Sequence, residues 1–224
     1  MKLGWSVPAR LLRWVLGCLV NAAVPYVLTG RRDLPWVWAT VVVGCLLTLP
    51  PILTIDPELL RERRKPGPGA RDRVSVRLLM ALYLVQIVFA FLDVGRLHWS
   101  DTVPAGLHVL GLALNVAGFA VILSAIRVNR FFSSVVRIQT DRGHQLITTG
   151  PYGIVRHPGY LGMLLAYPTA SLAIGSWWAF VPGVLCAFVV LRRCALEDAY
   201  LTANLAGYPA YRERVRSRLI PGAW

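Results

Sequence analysis

The chain alternates long apolar runs with short polar connections, and the run lengths are those of membrane crossings. Residues 15–30, 34–55, 78–92 and 103–126 form four nearly uncharged blocks. A helix of about 20 apolar residues crosses a hydrocarbon core roughly 30 Å thick. The first and third blocks are a little short for this and need part of their flanks. A fifth block, residues 160–191, holds 32 residues without a charged side chain. It is too long for one crossing and short for two. The spacing predicts an all-α, polytopic membrane protein of about six helices, the last two a short hairpin turning at Gly175-Ser176.

Charge placement supports this and orients it. Of 24 Lys and Arg residues, three precede the first block, two follow it, seven follow the second, one the third, five the fourth and six the fifth. Basic connections alternate, as cytoplasmic loops do in polytopic proteins. Placing them inside leaves only Arg31, Arg32 and Arg96 outside and puts the C-terminal helix in the cytoplasm. It also requires the fifth block to enter and return on one side; a single tilted crossing would put the tail outside. The net charge of +13 then reads as topology and attraction to anionic lipid, with no nucleic-acid partner. Arginine outnumbers lysine 22 to 2, the usage of a GC-rich genome, which points to a bacterial cytoplasmic membrane. A cleaved leader is the alternative for the first block, because Lys2, Arg10 and Arg13 precede Trp14 and the small pair Ala22-Ala23 follows.

Composition divides the chain near residue 126. Before it lie four helices and one cytoplasmic loop, residues 56–77, where Asp56-Pro57 has the form of an N-cap followed by proline at the first helical position. After it come a polar loop (127–159), the charge-free hairpin (160–191) and a polar tail (192–224). Cys18, Cys45, Cys186 and Cys194 match no metal or disulfide spacing. Cys194, beside Arg193, is either a reactive thiol or an inert one; the other three sit inside apolar blocks as small hydrophobes.

Two constellations could carry chemistry. In Gly150-Pro151-Tyr152-Gly153-Ile154-Val155-Arg156-His157-Pro158-Gly159-Tyr160, Pro158 holds His157 out of the helical region and starts a helix at the membrane surface. The unpaired N–H groups there can seat an anion beside Arg156 and His157. The other reading is a capped interfacial loop, with Arg156 on lipid phosphate and Tyr160 in the aromatic belt. In the second constellation Arg193 and Glu197 stand four apart on one helical face, with Asp198 adjacent. They are a surface ion pair or a cation–carboxylate site at the membrane edge.

Those residues carry a resemblance. Asn129 through Phe132, His144-Gln145-Leu146-Ile147-Thr148-Thr149-Gly150-Pro151-Tyr152, Arg156-His157-Pro158-Gly159-Tyr160-Leu161-Gly162, the Arg193/Glu197-Asp198 group and Tyr208, Tyr211, Arg214-Val215 and Ile220-Pro221-Gly222 are similar to the isoprenylcysteine carboxyl methyltransferase family, within a wider group of membrane phospholipid methyltransferases. The resemblance implies S-adenosylmethionine as methyl donor and a lipophilic acceptor, such as the carboxylate of a prenylcysteine-like molecule, with no metal. It implies cofactor contacts at His144, Gln145, Leu146, Ile147 and Tyr152 in the loop, at His157, Pro158, Gly159 and Tyr160 at the helix start, and at Glu197 and Asp198. Arg193, Arg156 and Glu197 become the catalytic candidates, the arginines orienting an acidic acceptor. The family often has two glutamates where this chain has Glu197-Asp198, and Tyr208 follows at a shorter spacing than in eukaryotic members; both departures bear on the acceptor. Steroid-reductase-like membrane enzymes share a related Pro-x-Tyr-x-Gly turn, but Met163 stands where an acid usually follows the glycine. A phospholipid or amine methyltransferase and a non-enzymatic membrane protein are the remaining alternatives.

Overall fold

The computed structural model describes residues 6–223; Lys2, cited for a possible leader, lies outside them. Among the described residues there are eight α-helices, and the only β pairing is an isolated bridge between Arg71 and Val136. Four helices are long and apolar enough to cross a membrane: α1 (Val7–Thr29), α2 (Pro35–Thr54), α4 (Arg73–Leu92, continued by a π turn Asp93–Leu97) and α5 (Ala105–Val128). α1 and α4 begin eight and five residues before the apolar blocks do. Arg10, Arg13, Arg73 and Arg77 occupy those extra turns, where a long basic side chain can reach out of the apolar layer along its stem.

Start and stop signals act where the residues place them. α1 ends at Gly30 in the left-handed region (φ 69°), a conformation glycine adopts without Cβ strain. The short α3 (Pro57–Arg64) starts as expected, with Asp56 accepting from the Glu58 N–H at 2.8 Å. Its last turn holds Arg61, Arg63 and Arg64, favourable at the negative end of the helix dipole.

The fifth block is broken into two helices. α6 (Pro158–Ile174) opens on proline and closes at Gly175, φ 110°; α7 (Phe180–Asn204) follows after a five-residue connection and packs back on it. The turn is therefore at the expected Gly175. α7 is longer than the block, continuing past Arg192 by more than three turns. α8 (Tyr208–Arg214) is the last helix among the described residues.

α5 and α6 form the most extensive helix pair, and glycine is the reason they approach so closely. A Cβ on Gly162 would lie 2.5 Å from the Gly118 carbonyl oxygen, and one on Gly118 2.6 Å from the Gly162 oxygen. Small residues at such crossings bring backbones into direct van der Waals contact, a main source of helix association in a bilayer. Cys186, Val190 and Cys194 of α7 pack with Leu79, Tyr160 and Leu219. Cys194 is fully buried, which makes it an inert core thiol rather than a reactive one.

The two halves are tied by charge as well. Arg137 of the polar loop makes a two-pronged contact with Glu62 of α3 (2.9 and 2.8 Å) and reaches Asp141 at 2.8 Å. Both Arg137 and Glu62 are buried. Hydrogen bonds from Arg137 overcome the upward push of burial on Glu62 and hold its carboxyl below the usual range.

Candidate active site

The polar loop from Asn129 to His157 lies across the ends of α4, α6 and α7 and encloses a cavity of about 490 Å³, a size typical of small-molecule sites. Two kinds of wall meet there. The loop, the first turn of α6 and the α7–α8 region contribute polar groups, including Asn129, His144, Gln145, Tyr152, Tyr160 and Glu197. The membrane helices contribute apolar ones: Val76, Leu79 and Met80 of α4, Phe119 of α5 and Met163 of α6.

The loop owes its shape to side-chain bonds. Asn129 accepts from the Phe131 N–H (2.9 Å) and donates to the Tyr152 hydroxyl (3.0 Å). Tyr211 of α8 donates to the Tyr152 carbonyl at 2.6 Å. His144 stacks on Phe131 with ring centres 4.5 Å apart, and its Nδ1 accepts from the Gln139 N–H at 3.1 Å. Burial, with Arg137 and Arg142 nearby, pushes His144 down to about 4. The ring is therefore neutral at pH 7, and its remaining proton sits on Nε2.

Asp198 is the hub behind this wall. It is 1% exposed and receives Arg156 Nε (2.8 Å) and Nη2 (3.2 Å), Arg218 Nε (3.0 Å), the Tyr208 hydroxyl (2.8 Å) and His157 Nε2 (3.0 Å). A carboxylate only accepts, so His157 carries its proton on Nε2. Burial alone would raise the Asp198 carboxyl, but the bonds from His157 and Arg156 hold it well below the usual carboxylate range. Arg156 also donates to the carbonyls of Val215 (2.7 Å) and Arg216 (2.6 Å), while the N–H groups of Arg156 and His157 bond to Ser217 and Arg218. The tail is thereby stitched to the start of α6.

Arg193 and Glu197 do not pair directly. Tyr160 stands between them, accepting from Arg193 Nε at 2.8 Å and donating to Glu197 Oε2 at 2.5 Å. Arg193 also donates to the Ser134 carbonyl at 2.5 Å and lies 3.6 Å from Asp72. The phenol can occupy that place because Tyr160 is in the first turn of α6, which packs on α7.

His144, Gln145, Leu146, Ile147, Tyr152, Arg156, His157, Gly159, Tyr160, Arg193 and Glu197 all reach the cavity. Pro158 and Asp198 do not line it; Pro158 starts α6, and Asp198 points into the protein. Glu197 and Asp198 leave α7 about 100° apart, and here Glu197 turns to the cavity while Asp198 is taken up by Arg156, His157, Tyr208 and Arg218. Sequence reasoning did not pick out Arg63, Tyr83 or Tyr167 in the wall. No local motif marks them, because tertiary packing brings them there.

The family model "Phospholipid methyltransferase" matches residues 107–206. The chain is 30% identical over 97 residues to the protein-S-isoprenylcysteine O-methyltransferase of Schizosaccharomyces pombe, covering 41% of this chain and 40% of that one. It is 39% identical over 106 residues to the probable protein-S-isoprenylcysteine O-methyltransferase of Oryza sativa subsp. indica, covering 43% and 53%. The chain is isoprenylcysteine-methyltransferase-like. It spans about half the length of these relatives. A delta(14)-sterol reductase of Methylotuvimicrobium alcaliphilum is similar too, 29% identical over 137 residues, 55% of this chain and 32% of that protein. The family-model match takes in almost all of α5, the polar loop, α6 and the whole of α7, and leaves out α3 and α4.

Proposed function

We propose that this protein is an integral membrane methyltransferase that uses S-adenosylmethionine to methylate a lipophilic acceptor at the membrane surface. The observation that supports it most is the cavity's double lining. A charged, water-soluble donor suits the polar wall of the loop, and an acyl or prenyl body suits the wall built by α4, α5 and α6. Met80 lines the cavity and is also 69% exposed on α4, which gives an acceptor a route from the bilayer. The loop, the tail and both ends of the α6–α7 hairpin face the cytoplasm in this reading.

The residues fit the donor. Glu197 offers a carboxylate whose Oε1 receives no hydrogen bond among the described residues, suited to hydroxyl or ammonium groups. His144, Gln145, Leu146, Ile147, Tyr152, Gly159 and Tyr160 supply the remaining contacts, while Pro158, His157 and Asp198 hold the start of α6 in place. S-adenosylmethionine, when bound, supplies a methyl group on a sulfonium leaving group. A carboxylate acceptor, already anionic, would take that methyl group with the bonding pair left on sulfur and no proton transferred, so no general base is required of the chain. The chain's task is alignment and exclusion of water, which can supply about 7–11 kcal/mol through effective molarity. Arg193 acts on the acceptor from the Tyr160 side, and Arg156, bound to Asp198 and two carbonyls, is a positioning residue.

A phospholipid acceptor is the second reading, favoured by the description of the matched family model. Equilibrium binding of S-adenosylmethionine to the detergent-purified protein tests the shared core, and mass spectrometry of lipid and prenyl-thiol extracts identifies the methylated product. Absence of S-adenosylmethionine binding together with binding of NADPH would refute the proposal in favour of a reductase.

A further inference from the structure

Four arginines line the cavity, and three of them already have acids: Arg137 has Glu62 and Asp141, Arg156 has Asp198, and Arg193 has Asp72. The fourth is Arg63. Among the described residues it forms no ion pair. Its guanidinium donates one long hydrogen bond, 3.3 Å, to the Phe132 carbonyl and lies 5.4 Å over the Phe132 ring. Burial lowers its pKa, opposed by Tyr167 and reinforced by Arg193, and an arginine in such a place stays charged. Half-buried in the cavity wall and without a counter-charge, it is placed to take an anion that arrives from elsewhere.

The backbone at this point is held firmly. Ser134 donates to the Arg63 carbonyl at 3.0 Å, and Ser133 donates to Glu62 at 3.0 Å. The next residue toward the N-terminus, Glu62, is locked by Arg137. Arg63 is thus presented on a rigid support, which keeps the ordering cost of binding low. The cavity it lines reaches into the membrane helices: Tyr167, in the same lining, lies nine residues beyond Pro158, roughly 14 Å along α6 at 1.5 Å per residue. Tyr167 pairs with Tyr83 of α4 at 5.3 Å between ring centres.

Resting on the methyltransferase reading above, we infer that Arg63 is the specificity-determining anchor for an anionic group on the acceptor. The acceptor is then a lipophilic acid rather than an amine, and its class is read by α3 and α4, outside the part matched by the family model. Arg193, with every guanidinium nitrogen already engaged, orients that acid secondarily.

The test measures binding, not turnover. An S-farnesyl thioether carboxylic acid and its primary amide are titrated into the protein in nanodiscs, with wild type, Arg63→Gln and Arg63→Lys. Wild type should prefer the acid about ten- to a hundredfold, the range of a charge-assisted hydrogen bond. Arg63→Gln should lose that preference, Arg63→Lys should keep part of it, and S-adenosylmethionine affinity should be unchanged in all three. As a second measurement that needs no variant, phenylglyoxal labelling of wild type should be suppressed at Arg63 by the acid and not by the amide. Equal binding of acid and amide by wild type, an undiminished preference in Arg63→Gln, or unprotected labelling overturns the inference. So does loss of S-adenosylmethionine affinity in the variants, which would make Arg63 a cofactor contact. If wild type binds the acid but not S-adenosylmethionine, the methyltransferase reading fails and the anchor stands.

Discussion

Exchanging the two neighbouring acids of α7 for their amides should damage two different properties. In Asp198→Asn the change removes the carboxylate that pairs with Arg156, at 1% exposure, and weakens the contacts of Arg218, Tyr208 and His157 as well. An asparagine can accept on one atom only, and its NH2 group would face groups that are themselves donors. Leaving a buried arginine without its partner costs about 3–5 kcal/mol. In a chain of this size that lowers the melting temperature by on the order of 10 °C. Glu197→Gln keeps an acceptor for the Tyr160 hydroxyl and leaves no buried cation unpaired, so its stability should stay within about 1 kcal/mol of wild type. Its S-adenosylmethionine affinity should fall about ten- to a hundredfold. Thermal unfolding in detergent and calorimetric titration on the same preparations separate the effects. Wild-type melting of Asp198→Asn would refute the hub, and undiminished binding by Glu197→Gln would reduce Glu197 to a surface acid.

His144 gives a pH signature. Its pKa of about 4 when folded lies below the unfolded value of about 6.5. Its neutral form is therefore favoured by folding: stability is intact above pH 6.5 and declines as pH falls from there toward 4. His144→Gln should flatten that slope in melting curves, and an unchanged slope contradicts the buried neutral ring. The Asp198, Glu62 and Asp141 carboxyls, all lowered, keep their stabilising contribution above the ordinary carboxylate pKa near 4 and lose it only in stronger acid. Gly162→Ala should cost about 1–3 kcal/mol by forcing α5 away from α6, and a neutral substitution would mean the helices do not touch there. Single cysteines at Ser217 and Thr140 should react with an impermeant thiol reagent from the same face of the membrane; labelling from opposite faces defeats the proposed orientation.

The helices were legible because burial in lipid imposes a length and a polarity that a sequence displays directly. Gly175 and Asp56-Pro57 were legible because a turn and a cap depend on residues next to each other. The site was legible where it is local, as in the His144–Tyr152 and Arg156–Tyr160 strings. It was illegible where it depends on distance. Reading Arg193 and Glu197 as a direct pair ignored that a residue 33 positions away, Tyr160, could lie between them. Treating Glu197 and Asp198 as equivalent cofactor contacts ignored the direction in which each leaves the helix. Nothing local marks Arg63, because no sequence pattern shows that its neighbour Glu62 is claimed by Arg137, 75 positions later.

That last contact bears on how the protein is made. The early helices leave the ribosome with Glu62 already in place, but its counter-ion is synthesised only after two more crossings. Until then the α3 carboxylate must stay hydrated, and the surface where the later loop will dock stays open to water. The loop then closes on a template that already exists. A shortened gene beginning at Arg127 would encode most of the family-like portion without that template, leaving the Arg137 guanidinium without Glu62 and α6 and α7 without α4 and α5. The C-terminal half is the last instalment of one folding unit, and it has no reason to stand alone.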